Sequence, residues 1–266
     1  MRKVLVGLLV LWSVAAVANA ANIGGQEVGV TVDATYTTKY IWRGFDLMDD
    51  KAAFQPSVDF DFGNGFSFNV WGSIPGSGGG DRISGDGFSA VNAEEWDYTL
   101  AYSSSINEGC TSKMDYTVGF TFFDFPDMAS NDADTQEVFL QVSMPEICSI
   151  VTPHAAVYQM WPSEGSGAVH DYSGTIYAVG FTYGFTAEQA PELPMTFGWD
   201  IVYNDGTGAD AVDSDWSHMV WSLSTSMTCP MTGASISPAL FYQNSFEDTV
   251  NTEDEFWASI SYSFSF

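Results

Sequence analysis

The chain closes on Phe256-Trp-Ala-Ser-Ile-Ser-Tyr-Ser-Phe-Ser-Phe266, where large apolar side chains alternate with serine. Successive side chains leave a β-strand on opposite sides. Ala258, Ile260, Tyr262, Phe264 and Phe266 therefore share one face, while Trp257, Ser259, Ser261, Ser263 and Ser265 share the other. One face is greasy and the other wet.

A strand of this kind that stops on an aromatic residue resembles the assembly signal of bacterial outer-membrane β-barrels. The same alternation recurs upstream. Val28, Val30, Val32, Ala34 and Tyr36 oppose Thr31, Asp33, Thr35 and Thr37. Tyr177, Val179, Phe181, Tyr183 and Phe185 oppose Ala178, Gly180, Thr182 and Gly184, and Met195, Phe197, Trp199, Ile201 and Tyr203 oppose Thr196, Gly198 and Asp200. Breaks rich in Gly, Pro, Asp and Asn separate the runs, and no amphipathic helix stands out.

Strands are predicted near 27–38, 54–62, 66–74, 95–105, 115–125, 135–144, 151–160, 173–185, 195–203, 217–226, 235–244 and 255–266. Short breaks (63–65, 106–114, 145–150, 186–194, 227–234) alternate with longer or intermediate ones (39–53, 75–94, 126–134, 161–172, 204–216, 245–254). An even number of strands with short turns on one rim and longer loops on the other predicts an all-β, transmembrane up-and-down antiparallel β-barrel of about 12 strands. A soluble β-sandwich alternates in the same way. The aromatic ending, the loop alternation and strand lengths near the 9–11 residues that cross a bilayer at a tilt favour the barrel.

At the other end, Arg2 and Lys3 precede an apolar run from Val4 to Val17, and Ala18-Asn19-Ala20 offers small residues for cleavage. This reads as a secretory signal peptide over 1–20, with the barrel occupying 21–266 as one domain. The run is too short to cross a bilayer comfortably, which takes roughly 20 apolar residues. The expected location is the outer membrane with both termini periplasmic. Expected partners are outer-membrane lipid and lipopolysaccharide, the barrel-assembly machinery and small solutes.

The chain carries 34 acidic against 7 basic residues, a net charge of −27, and loss of Arg2 and Lys3 leaves it more negative still. Nucleic acid is excluded as a partner by charge. The acidity does not signal disorder, because 45% of the residues are hydrophobic and 15% aromatic.

Alternation points several ionisable residues into the lumen: Asp33, Asp59, Asp97, Glu137 and Asp200 as pore-lining candidates, with Asp61, Asp115 and His154 beside them. Charges inside a barrel persist only next to water or a partner. A ring of carboxylates would concentrate cations and repel anions. The plain alternative is a narrow lumen in which these groups accept hydrogen bonds and hold strands together.

Tyr40-Ile-Trp-Arg-Gly44, Gln55-Pro-Ser-Val-Asp-Phe60, Gly63-Asn-Gly-Phe66 and Asn69-Val-Trp-Gly-Ser73 stand where the first strands meet. This stretch, residues 36–73 above all, resembles a family of uncharacterised proteobacterial outer-membrane proteins of the gcw_chp type. The resemblance implies a barrel and a transport role, with no catalytic residues to carry over. As an interfacial anchor, the segment would put Tyr40 and Trp42 in the aromatic girdle and pair Arg43 with a loop carboxylate such as Asp46. As a functional element, it would place Lys39 and Arg43 at the pore mouth, facing anionic groups.

Cys110, Cys148 and Cys229 all fall in short turns, on the rim where disulfides persist. Cys110 and Cys148 lie in consecutive turns, close enough to bridge, yet all three pairings stay open and one thiol is left over. Acidic loops, notably Asp205–Asp215, offer oxygen ligands for Ca²⁺ or Mg²⁺, but the spacing is not that of an EF-hand. No resident cofactor or metal site is predicted.

The reading is a porin-like outer-membrane channel for small polar or cationic solutes, and not an enzyme. Its runner-up is a non-conducting structural or surface-interaction barrel. A hydrolase built on His170-Asp171 is a remote third, with no Gly-x-Ser-x-Gly elbow to support it.

Overall fold

Each apolar–polar alternation becomes one strand of a closed sheet. A computed structural model describes residues 21–23, 26–76, 93–169, 171–188, 190–208 and 212–266. The expected signal peptide, most of the loop between the third and fourth strands, His170 and Asp210 lie outside the described residues.

Twelve strands form the wall: β1 (Gln26–Thr37), β2 (Ala53–Asp61), β3 (Phe66–Pro75), β4 (Glu95–Ile106), β5 (Met114–Asp124), β6 (Thr135–Ser143), β7 (Thr152–Pro162), β8 (Gly174–Ala187), β9 (Ala190–Asp205), β10 (Ser214–Thr225), β11 (Ser235–Ser245) and β12 (Glu255–Ser265). Every neighbouring pair is antiparallel. The ring closes where β12 pairs with β1, Ser261 opposite Thr35, and β1 pairs in turn with β2, Asp33 opposite Ser57. Closure satisfies the backbone groups that an open edge would leave bare in lipid.

Register carries the alternation around the barrel, because cross-strand partners point the same way. Phe54 lies opposite Tyr36, and Trp199 opposite both Phe181 and Trp221, all on the outside. Leu100, Val118, Val138, Leu140, Val179 and Ile260 are exposed on that face. A wide apolar outer surface with a polar interior is the arrangement of a barrel whose solvent outside is hydrocarbon. Ring ladders mark its two borders: Phe66, Tyr102 and Tyr116 on the short-turn side, with centroids 4.9 and 6.4 Å apart, and Tyr177, Tyr203 and Trp216 on the long-loop side, at 6.4 and 5.7 Å. Such girdles give amphipathic rings both lipid and water.

Two expectations are corrected. The break expected at 186–194 is a tight hairpin, with Thr186 paired to Pro194 and a register shift between Thr186 and Ala187. Pro191 and Pro194 read as turn signals, yet proline is tolerated at strand ends and irregularities.

The larger correction concerns 39–52. This segment is not an outer loop but folds into the barrel as a small hairpin, Ile41–Trp42 against Phe45–Asp46. Its two-residue turn, Arg43-Gly44, has φ of 47° and 100°, the pair of positive values that a type I′ turn requires.

Candidate functional site: the lumen and its inward hairpin

Tyr40, Phe45, Leu47, Met48 and Ala53 form a buried cluster with Val212 and Val250 from two other loops, and Trp42 and Trp71 pack against it. Full burial of Phe45 and Met48 favours the inward position by about 2 kcal/mol each. Tyr40 and Trp42 are therefore inside the barrel, not in the girdle. Polar contacts finish the seat: the side-chain amides of Gln243 and Asn251 donate to the Gly44 carbonyl at 2.9 and 3.2 Å, and the Leu47 amide donates to the Tyr40 carbonyl at 3.0 Å. Gly44 has no room for a side chain, since a Cβ there would stand 2.6 Å from His218 Nδ1.

Arg43 is the tip of this element. Its guanidinium grips Glu137 with two hydrogen bonds, the Nη2–Oε1 bond measuring 2.9 Å, and its Cζ stands 3.6 Å from the Tyr158 ring centroid and 4.6 Å from that of Trp42. The partner is thus a wall carboxylate and not Asp46. Asp46 instead accepts from the amides of Met48 and Asp50 at 3.1 and 2.6 Å, closing the hairpin's return, and burial raises its pKa above the ordinary carboxylate value despite those bonds.

Lys39 lies higher, bonded to Asp50 and, at 2.7 Å, to Glu255. Burial works against its charge, but those two carboxylates more than compensate, and its pKa is raised. Asp46, Asp50 and Glu255 are close enough to share a cation. The Lys39 ammonium already supplies that charge. Burial, reinforced by the carboxylates of Glu95 and Asp97, holds the Tyr40 phenol well above its ordinary pKa, so it stays protonated and hydrogen-bonds Glu95.

All five pore-lining candidates face inward, but they do not make one ring. Asp97 and Glu137 lie under the hairpin in the long-loop third of the barrel. Asp33 and Asp200 lie near mid-strand, opposite Ser57 and Val220, and Asp59 lies in the short-turn half. There, a cavity of about 770 Å³ is lined by Asp115, Gln141, Ser143, His154, Tyr158 and Asp200, among others. His154 Nε2 and Asp200 Oδ1 are 2.6 Å apart across its wall, Thr35 donates to Asp33 at 2.8 Å, and Asp115 accepts from Ser105 at 2.5 Å. Tyr158 joins the two levels, with Arg43 over its ring and the cavity beside it.

Cys110, Cys148 and Cys229 occur as free thiols on the short-turn rim, so the Cys110–Cys148 bridge is not formed. Both described ends of the chain are on this rim as well.

Solved structures share the barrel fold. A KdgM porin, solved in complex with disordered oligogalacturonate, superposes with a TM-score of 0.53 at 11% identity, over 88% of this chain and 99% of that one. A NanC porin gives 0.51 at 9% identity, over 88% and 98%. The fold is an outer-membrane β-barrel fold. Identity this low speaks for the fold alone. No protein-family model and no curated protein matches the chain.

Sequence reasoning assigned the candidate carboxylates by parity along each strand. It missed the hairpin, although one signal was present: Tyr40, Ile41, Trp42, Phe45, Leu47 and Met48 are too apolar for a solvated loop.

Proposed function

We propose that this protein is an outer-membrane channel that passes small polar or cationic solutes, with residues 39–52 as the element that narrows its path. The observation that carries the reading is a polar, carboxylate-bearing cavity of about 770 Å³ inside a closed barrel whose outside is apolar. Fixed negative charge in a confined aqueous path raises the local cation concentration. The resemblance of residues 36–73 to gcw_chp-type outer-membrane proteins accords with a transport role, and the short-turn rim, with both chain ends, would face the periplasm.

Reconstitution into planar bilayers tests the proposal. Discrete conductance steps with a cation-selective reversal potential are expected, and a folded but silent barrel rejects the reading. The hairpin itself favours a second reading, a non-conducting barrel for structural or surface contacts, because Arg43 and Glu137 bridge the lumen from tip to wall. Silence of the native protein together with conductance after removal of that contact would support it.

A further inference from the structure

Beside the hairpin, between it and the wall formed by β1, β2, β3, β4, β11 and β12, lies a second cavity of about 290 Å³. Its chemistry differs from that of the larger one. Phe241 and Trp257 present parallel rings, with centroids 5.0 Å apart and planes 10° from coplanar, and Trp71 adds a third flat apolar face. Among these stand the hydroxyls of Thr35 and Ser259 and the amide of Gln55, groups that both donate and accept hydrogen bonds.

The two charges in the lining are unequal in their engagements. Lys39 is held by Asp50 and Glu255. Asp97, by contrast, keeps a buried carboxylate oxygen, Oδ1, that accepts no hydrogen bond. Buried polar atoms are seldom left without a partner, and the residue that carries this one also lines the cavity.

We propose that this cavity is a binding site for a neutral sugar on the path of the channel. A pyranose offers a flat C–H face to stack on Trp257 or Trp71, and around its edge hydroxyls that donate to Asp97 and exchange hydrogen bonds with Thr35, Gln55 and Ser259. An anionic solute is disfavoured, because Asp97, Glu95 and Glu137 stand together on this side and the two cations near them, Lys39 and Arg43, are already paired. A bare metal cation is disfavoured as well, because one carboxylate among aromatic rings does not supply the six or more oxygens such an ion takes. Sites of this composition, mostly apolar with a few convergent polar groups, are those that orient small organic ligands.

The inference rests on the channel reading for its purpose but not for its test. With the native barrel in planar bilayers, glucose should produce reversible, concentration-dependent interruptions of the current, and gluconate at the same concentration should not. Asp97→Asn and Trp257→Ala should each weaken the glucose effect roughly tenfold, the size expected for loss of one hydrogen-bonded or stacked contact. Trp257→Phe, which keeps a ring, should restore most of it. Should the barrel not conduct, the channel reading fails by itself, and quenching of tryptophan fluorescence by glucose in the detergent-folded protein decides the binding question. Absence of a glucose response by the applicable readout, an equal response to gluconate, or a response untouched by Asp97→Asn in a folded barrel overturns the proposal.

Discussion

Arg43 at the tip of the inward hairpin and Glu137 on the barrel wall, 94 positions apart in the chain, are joined by a two-pronged ion pair whose carboxylate is almost wholly shut off from solvent, at 2% side-chain exposure. The pair ties the hairpin tip to the wall at the long-loop end of the lumen. Arg43 also accepts a left-handed backbone conformation that arginine does not favour, at a cost of about 1 kcal/mol. Packing of Phe45 and Met48 offsets that cost, so the apolar half of the hairpin holds the charged half in place.

Breaking this pair should therefore both destabilise and open the barrel. Removal of one partner from a buried ion pair leaves an uncompensated charge and typically costs about 3 kcal/mol or more. Arg43→Ala is expected to lower the unfolding midpoint in detergent and raise single-channel conductance, and Arg43→Gln with Glu137→Gln should recover part of the stability. Unchanged conductance in Arg43→Ala would mean that the hairpin does not lie on the conducting path.

Gly44→Ala tests the same element through its backbone. The added Cβ meets His218 and Val250 at 2.6 and 2.8 Å in a conformation that alanine resists, so the turn must shift. Stability is expected to fall by about 1 kcal/mol or more. Hydrogen exchange at the Leu47 amide, bonded to the Tyr40 carbonyl, should accelerate.

Neutralising Asp33, Asp59 and Asp200 together should move the reversal potential in a salt gradient toward that of a non-selective pore. None of these three side chains takes part in the Arg43–Glu137 contact. An unmoved reversal potential would place the ions' route elsewhere.

At the long-loop rim, Asp254 accepts from Asn244 at 2.8 Å, from the Ser245 amide at 3.0 Å and from Tyr242 at 2.9 Å, and these bonds, led by Asn244, hold its pKa below the ordinary carboxylate value. A depressed carboxyl pKa contributes order that is present above the unfolded value and is lost as pH falls through the folded one. Acidification below the usual aspartate range should thus loosen the β11–β12 loop while the wall stays folded, read as faster exchange of the Ser245 amide. Asp254→Asn should remove that pH dependence.

The three rim cysteines should all react with a maleimide without prior reduction. Cys148 should react faster than an unperturbed thiol at neutral pH, because the amides of Val151 and Ile150 stabilise its thiolate. A mass increase of one label instead of three would show that two of the thiols pair.

The strands were legible because lipid outside and solvent inside impose a two-residue period on every one of them, and Phe256–Phe266 displays it without interruption. Parity along the chain then assigned Asp33, Asp59, Asp97, Glu137 and Asp200 to the lumen without knowledge of any partner. The segment 39–52 was not legible in the same way. Its residues have no period, and a run such as Tyr40-Ile-Trp suits a membrane interface as well as a buried cluster.

Sequence alone decided that this chain would be a barrel, which face of each strand would meet lipid, and which carboxylates would line the inside, since these follow from neighbours one or two residues away. Only the tertiary structure decided that Arg43 would reach Glu137, that Tyr158 would lie beneath it, and that Asp97 would face a ring-lined cavity. Those contacts join residues far apart in the chain, and they exist because closing the sheet creates an interior that the apolar hairpin can fill.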